Sequence, residues 1–512
     1  MTTVVKFLIV SVLIVGAVNP ALALMNYTLD EPYTPGITSN SVIDIAHNTA
    51  GIWLGTANGA SFSEDSGAFW RTYMDPPLPT IQVSALAANT WRDTSYMWVT
   101  TTHTDRIQGD TYPFGDGLIL SRDNGANWDT VRTPEQCHGY GKLSYDLAMY
   151  RNHIYSACFY GGLIRSTNNG RNWYPLYFNA NDSLDYLAGT YTQLTNRYFS
   201  VKVDTTLAPE TISVWAGSAK GIIRYIFTHY DNPLLKQDTA IQYYFNLSDT
   251  LFPTEYLLPG NFVVGIGIHK IDTTGYIWAA CRPGGGDSGQ KYAVAYSTNY
   301  GTTWTTVIEV PAWDFAFNGD TTFVAFGDYG IPSYGYGLAI LVRDDSGAYS
   351  NINIIRDVTM VDTSGFTIRK YFNSPFYCVD YYAGQIWAGG SDGTIRSTDG
   401  GQAWDIFRSQ IDSTNHYAYP SPFSPYTTER SGTTIHYMLE NSANVTIKIF
   451  DFNIDLVKTV IDNQNRAGGR EYDIDIWDGK NDAGDYVANG VYFYNIKLST
   501  GQSWWGKVAV VK

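Results

Sequence analysis

Apolar and polar positions alternate with period two in short runs spread over most of the chain. Such runs cover residues 42–47, 83–89, 144–150, 199–203, 265–271, 314–317 and 377–382. A few residues after each stands an aromatic side chain in an apolar setting: Trp53, Trp98, Tyr155, Trp215, Trp278, Phe323 and Trp387. Period-two alternation rich in β-branched and aromatic residues, bounded by Gly, Asn and Asp, predicts half-buried strands. A third short element follows the aromatic mark, clearest as Gly-x-Ile-Arg at 162–165, 221–224 and 393–396. No long amphipathic helical pattern interrupts the series. The distance from one mark to the next suits a four-stranded sheet with its loops, so the pattern predicts an all-β fold of about seven repeated sheets.

The repeat carries its own turn. Ser63, Asp65, Gly67 and Trp70 recur at the same spacing as Ser121, Asp123, Gly125 and Trp128, and as Ser166, Asn168, Gly170 and Trp173. Two more copies are Ser297, Asn299, Gly301 and Trp304, then Ser397, Asp399, Gly401 and Trp404. Asp or Asn accepts hydrogen bonds from backbone N–H groups just ahead, and Gly supplies a positive φ. The Trp then opens the next strand. A decayed copy stands at 343–347, and the fourth repeat has none after Tyr225.

Both ends of the chain depart from this rhythm. Lys6, an apolar run at 7–18 and Ala21-Leu22-Ala23 have the layout of a secretory signal peptide over 1–23. The run is short for a membrane span, and no later stretch approaches one. After Asp412 the composition changes. Pro420, Pro422 and Pro425 form an extended linker, followed by alternating segments at 434–438, 445–450, 472–476, 491–497 and 507–511. Asp478-Gly479 and Asn489-Gly490 are turn signals, so residues 413–512 are expected to form a small β-sandwich.

Charge and cysteine content narrow the partners. The formal net charge of −15 repels phosphate backbones and speaks against nucleic acid. The four cysteines contain no C-x-x-C pair, which speaks against a structural zinc site. An exported chain can form disulfides, and Cys137 with Cys158 is the pairing expected, buried free thiols being the alternative. Gly284-Gly285-Gly286 lacks the Lys-Ser/Thr of a phosphate loop, and 478–485 lacks calcium-loop spacing. No metal or cofactor is therefore expected.

The Ser-x-Asp/Asn-x-Gly-x-x-Trp segments resemble the Asp-box (BNR) repeats of sialidases, Asp-box endoglucanases, the sortilin family and photosystem assembly propellers. The resemblance implies a seven-bladed β-propeller within 24–412, followed by the small sandwich. In that family the boxes join the third and fourth strands on the face away from the usual ligand site. The C-terminal segment resembles the Ig-like domain of flagellar hook-capping proteins. It resembles even more the C-terminal sorting domains of type IX secretion substrates. The matching residues are Tyr419-Pro420-x-Pro422-Phe423, Trp477-Asp478-Gly479, Gly490-x-Tyr492-x-Tyr494 and the basic end from Lys507 to Lys512. That likeness implies export by an outer-membrane secretion machinery, then release or attachment at the cell surface, with no transmembrane segment in the mature chain.

In such a propeller, ligands bind where loops join strand two to strand three. Long loops there offer Asp105, Arg106, Asp110, Tyr112 and Asp116 in the second repeat, Arg282 and Asp287 in the fifth, and Asp328 and Tyr334 in the sixth. Tyrosine rings stack on sugar faces and Asp accepts hydroxyl hydrogen bonds; the same Asp residues equally cap turns. Arg165, Arg224 and Arg396 share one repeat position away from the central strand, so they read as structural and not as a sialidase arginine triad. No R-I-P segment precedes the first repeat, and no catalytic residue is assigned. The expected function is a secreted or surface-bound binding or scaffold module for a glycan or a surface protein. The alternatives are a glycoside hydrolase and an assembly factor for an extracytoplasmic complex.

Overall fold

The computed structural model describes residues 33–511, apart from single positions and short stretches, chiefly 206–210, 229–238, 245–256, 285–288, 363–367, 410–415 and 427–431. The leader at 1–23, Asp287, the junction at 412 and the turn after Tyr225 beyond residue 228 lie outside the described residues.

Seven antiparallel sheets, each a meander, follow one another along the chain. The first comprises Val42–Asn48, Gly51–Thr56, Gly59–Ser63 and Trp70–Tyr73, with Tyr33–Thr34 on its outer edge. The last comprises Phe376–Tyr382, Gln385–Gly390, Gly393–Ser397 and Asp405–Phe407. The first strands of consecutive sheets pack side by side, and that of the last packs against that of the first. The arrangement is an all-β propeller around a central channel.

Its core is built from the aromatic marks. Trp53, Trp98, Tyr155, Trp215, Trp278, Phe323 and Trp387 are all buried on second strands. Across the sheet each faces one repeat position on the third strand: Phe62, Leu120, Arg165, Arg224, Tyr296, Ile340 and Arg396. Trp53 stacks on Phe62 at 4.4 Å. The Arg224 guanidinium lies 4.9 Å from the Trp215 ring, and that of Arg165 4.7 Å from Phe227. The arginine plane occupies the slot a ring fills elsewhere, which is why these arginines belong to the packing. Burial of each mark stabilises the ring by about 2–3 kcal/mol.

The five sequence turns close identically between third and fourth strands. The serine Oγ donates to the Asp or Asn carboxyl or amide oxygen at 2.8–3.1 Å. The same Oγ accepts from the glycine N–H at 2.7–2.9 Å. The Asp or Asn oxygen also accepts from the N–H four residues on, at 2.8–3.0 Å. The five glycines have φ between 76° and 95°, as the turn requires. The sixth sheet keeps this chemistry in shifted form. There Asp344, one residue before the Asp the pattern suggests, accepts from the Ser346 and Ala348 N–H groups and from the hydroxyls of Ser346 and Ser350. The two hydroxyl bonds hold its carboxyl at about 2.

Among the described residues no strand is shared across the closing seam, since the first sheet is wholly N-terminal and the seventh wholly later in the chain. One isolated parallel bridge, Ile37 with Ser409, and a set of side chains join the two instead. Trp70 meets Trp387 edge-on at 6.1 Å, and His47 Nδ1 lies 2.6 Å from the Asp380 carboxylate. Arg396 also donates to the Ser66 carbonyl.

Beyond the ring two further sheets enclose one core that includes Phe423, Ile435, Tyr437, Ile447, Trp477 and Tyr494. Buried Arg408 links this unit to the propeller through Asp392 at 2.8 Å and Glu471 at 3.6 Å. A short helix, Ala180–Ala188, precedes the fourth sheet. Among the described residues no helix is long and apolar enough to cross a membrane. All four cysteines are buried free thiols. Cys137 and Cys158 do come together, both against the Ser156 hydroxyl at 3.4 and 3.3 Å, but the expected disulfide is not formed.

Candidate functional site

The channel widens into a cavity of about 1360 Å³ lined by all seven inner strands. One irregularity, repeated seven times, shapes it. Each inner strand slips register near its start, and Ile43, Ser84, Tyr145, Phe199, Val264, Trp313 and Tyr377 fall at these slips. A bulge of this kind bends the strand and re-aims its side chain. All seven lie in the cavity lining, and Ile43, Tyr145, Phe199, Trp313 and Tyr377 are the bulkiest.

The residue after the bulge carries the charge. It is Asp44, Asp146 and Asp314 in the first, third and sixth sheets, and Ser200 in the fourth. Asp44 accepts from the Ile45 N–H at 2.8 Å and from the Leu86 N–H of the next sheet at 2.7 Å. Asp146 accepts from Leu147 at 2.8 Å and Val201 at 2.9 Å. Asp314 reaches Val379 at 3.0 Å, and the Ser200 hydroxyl accepts from Ile266 at 2.9 Å. Side-chain oxygens thus staple neighbouring sheets by capping inner-edge amides that no strand covers.

Lys202 lies among the three carboxylates, 3.3 Å from Asp146. One ammonium serves three acids. Burial, then repulsion from Asp146 and Asp314, pushes the Asp44 carboxyl well above its usual range. Burial also raises Asp314, to about 6, although Lys202 and the Val379 amide pull it down. Burial lowers Lys202 but the surrounding acids outweigh it, so its ammonium is held more firmly than usual.

An aromatic run borders the mouth, at the end where second strands turn into third. His103 stacks on Phe114 at 5.2 Å, and Tyr140 contacts both Phe114 and Tyr112 at 5.7 and 5.3 Å. The run continues through Tyr160, Phe159 and Phe199 to Phe262, with centroid steps of 6.3, 4.5, 5.5 and 4.4 Å. Tyr145 joins the run at Phe159, 6.0 Å away, and Tyr140 and Tyr145 remain 46% and 41% exposed, so these two rings are open to a partner. Across the mouth Arg282 lies 3.8 Å over Trp313 and binds Asp328 at 3.1 Å.

The sequence candidates divide accordingly. Asp105, Arg106, Asp110, Tyr112 and Asp116 do not form a loop. They lie on a long hairpin in which Thr94–Ile107 pairs with Asp110–Ser121 to the tip. Asp105 and Arg106 are exposed there, with Asp105 bonded to the Arg106 N–H at 2.7 Å. Asp116 is committed to Thr80 at 2.8 Å and His103 at 2.7 Å. Arg282 and Asp328 come together, and Tyr334 packs on Tyr292 at 5.3 Å. Asp44, Asp146, Asp314 and Lys202 escaped the sequence reading because they sit inside strands, where Asp looks like a polar outward position. Aligning the seven strand starts would have exposed the recurring Asp. Among the described residues no group of three His, Cys, Asp or Glu side chains is placed to hold a metal ion.

No protein-family model matches the sequence, and no curated protein does. Solved structures do. A GH74 xyloglucanase from Xanthomonas campestris is similar over 94% of this chain and 74% of its own, at 11% identity and a TM-score of 0.52. An ancestral GH74 enzyme covers 93% of this chain and 62% of its own, at 14% identity and a TM-score of 0.50. PorZ, a surface component of the type-IX secretion system of Porphyromonas gingivalis, covers 91% of this chain and 70% of its own at 13% identity, with a TM-score of only 0.29. At these identities the likeness to the GH74 proteins is one of propeller fold.

Proposed function

We propose that the protein is an exported binding module. In this reading residues 1–23 are a leader, 24–412 a seven-bladed Asp-box propeller that holds a ligand across its mouth, and 413–512 an Ig-like unit that serves sorting to the cell surface. The observation that carries the reading is the run of rings from His103 to Phe262, bordering a cavity of about 1360 Å³ with charged groups on its inner-strand wall. Ring faces give contact area to a glycan or a protein segment, and a few fixed polar groups orient it. Asp105, Arg106, Asp110, Tyr112, Asp116, Arg282, Asp328 and Tyr334 form the polar rim of that site, and Asp287 is assigned to it on sequence alone. A panel of polysaccharides, oligosaccharides and peptides tests this against the full mature chain, with reducing-sugar release read in the same wells. Binding without release is expected; an empty panel contradicts the reading.

A glycoside hydrolase is the second reading, favoured by one observation. Asp314, raised to about 6, and Asp146 line the same cavity. An acid with a raised pKa beside a second carboxylate is the pairing such hydrolysis uses. Their backbone bonds give both carboxylates a structural task, which favours the binding reading. Sugar release abolished by Asp314→Asn would reverse that preference.

A further inference from the structure

Among the described residues the mouth has a strand edge that no other strand covers, as well as a charged channel wall. The inner strand of the second sheet pairs with its neighbour only as far as Gln82 and Thr102. His103 to Ile107 continue past it, paired on one side with Thr111 to Phe114 and with Asp110. All five are exposed. In this sheet the inner strand lies on the axis side, so the uncovered edge faces the channel. Among the described residues no strand covers this edge, and apart from the Arg106 N–H, which the Asp105 carboxylate takes at 2.7 Å, its main-chain groups offer donors and acceptors at the spacing of an extended polypeptide, which a sugar does not match.

The channel wall selects charge. The lining carries the carboxylates Asp44, Asp146, Asp314 and Asp380 and two permanent cations, Lys202 and Arg282. Arg282 is held by Asp328, and Asp380 by His47. Lys202 alone faces the remaining three acids. Beside them stand Tyr145, Phe199 and Tyr377, aromatic rings of the kind that hold a cation, while the Trp313 ring already carries Arg282. The net charge of −15 extends the same preference to the whole surface.

We propose that the mouth receives an extended segment of a partner protein, which adds to the free edge at His103–Ile107 and lowers a Lys or Arg side chain between the rings toward Asp44, Asp146 and Asp314. This rests on the binding reading above and names the class of its ligand.

The test uses the full mature chain and a capped, dye-labelled heptapeptide of alternating Thr and Val with Arg at its centre. Its control is the same peptide with citrulline, which keeps the shape and loses the charge. Fluorescence anisotropy should give the Arg peptide about a tenfold advantage, diminishing as salt is added. Asp314→Asn keeps an oxygen for the Val379 amide and should weaken the Arg peptide about threefold, with the citrulline peptide unmoved. Lys202→Met removes the competing ammonium and should tighten it, a gain that a misfolded variant cannot mimic. Equal binding of the two peptides overturns the proposal. So does a mouth that binds a neutral oligosaccharide and neither peptide, an outcome that leaves the binding reading standing. If neither peptides nor oligosaccharides bind, both readings fail.

Discussion

The two faces of the ring obey different rules. On one face five turns repeat the same hydrogen bonds, with serine Oγ to glycine N–H distances of 2.7–2.9 Å at every copy. On the other, each sheet ends differently: a long hairpin in the second, a helix before the fourth, an arginine–tryptophan stack between the fifth and sixth. The regular face holds the sheets in register and presents small polar turns. The irregular face gathers rings and charge around a cavity. A scaffold that repeats its structural chemistry leaves its loops free to differ, and difference is where ligand recognition accumulates.

Substitutions should separate these roles. The largest stability loss is expected at neither face but at the staples between them. Asp146→Ala removes the acceptor for two backbone amides and leaves Lys202 without its nearest acid, and should cost about 3 kcal/mol in urea unfolding. A loss below about 1 kcal/mol would mean that channel water replaces the staple. On the regular face Ser121 is fully buried, so Ser121→Ala strands the Gly125 N–H. It should cost about 1–2 kcal/mol and leave ligand binding unchanged.

A smaller effect separates the channel wall from the turns by pH. Asp314 stands at about 6 in the fold against 3.8 for a free side chain. The folded state therefore holds the extra proton between those values. Stability from this group falls as pH rises from about 4 to about 6 and is level above that. Asp314→Asn should flatten that part of the wild-type melting profile, and an unchanged slope would show that the carboxyl titrates as if solvated. Asp344, held near 2, sits on the turn face and has the opposite sign. Its contribution is lost only as pH falls from about 4 through about 2, so the two windows do not overlap.

How much of this was legible in the sequence follows the same division. The marks from Trp53 to Trp387 and the five turns were readable because a repeat states its rule several times. Asp344 was misread by one residue because a single decayed copy gives no register. The segment from His103 to Asp116 read as a loop because a polar run such as His103-Thr104-Asp105-Arg106 carries no apolar alternation; only the cross-strand register shows a hairpin. The aromatic run joins residues from four sheets, and no local pattern in a sequence reports which loops meet at a rim. Asp44, Asp146 and Asp314 were hidden by ordinary surroundings, although their shared position was there to be aligned.

The smallest stability change and the largest change in binding should coincide at the rim. Tyr145 is 41% exposed, and Tyr377 lines the cavity opposite it. The measurement that tests the account most directly compares wild type, the Tyr145→Ala/Tyr377→Ala variant and Ser121→Ala against one mixed panel of oligosaccharides and basic peptides. Whatever wild type binds should be lost from the tyrosine variant, whose melting temperature stays near wild type, and kept by Ser121→Ala despite its lower stability. Binding that survives the loss of both tyrosines, or that disappears with the turn serine, would contradict the assignment of the mouth as the site.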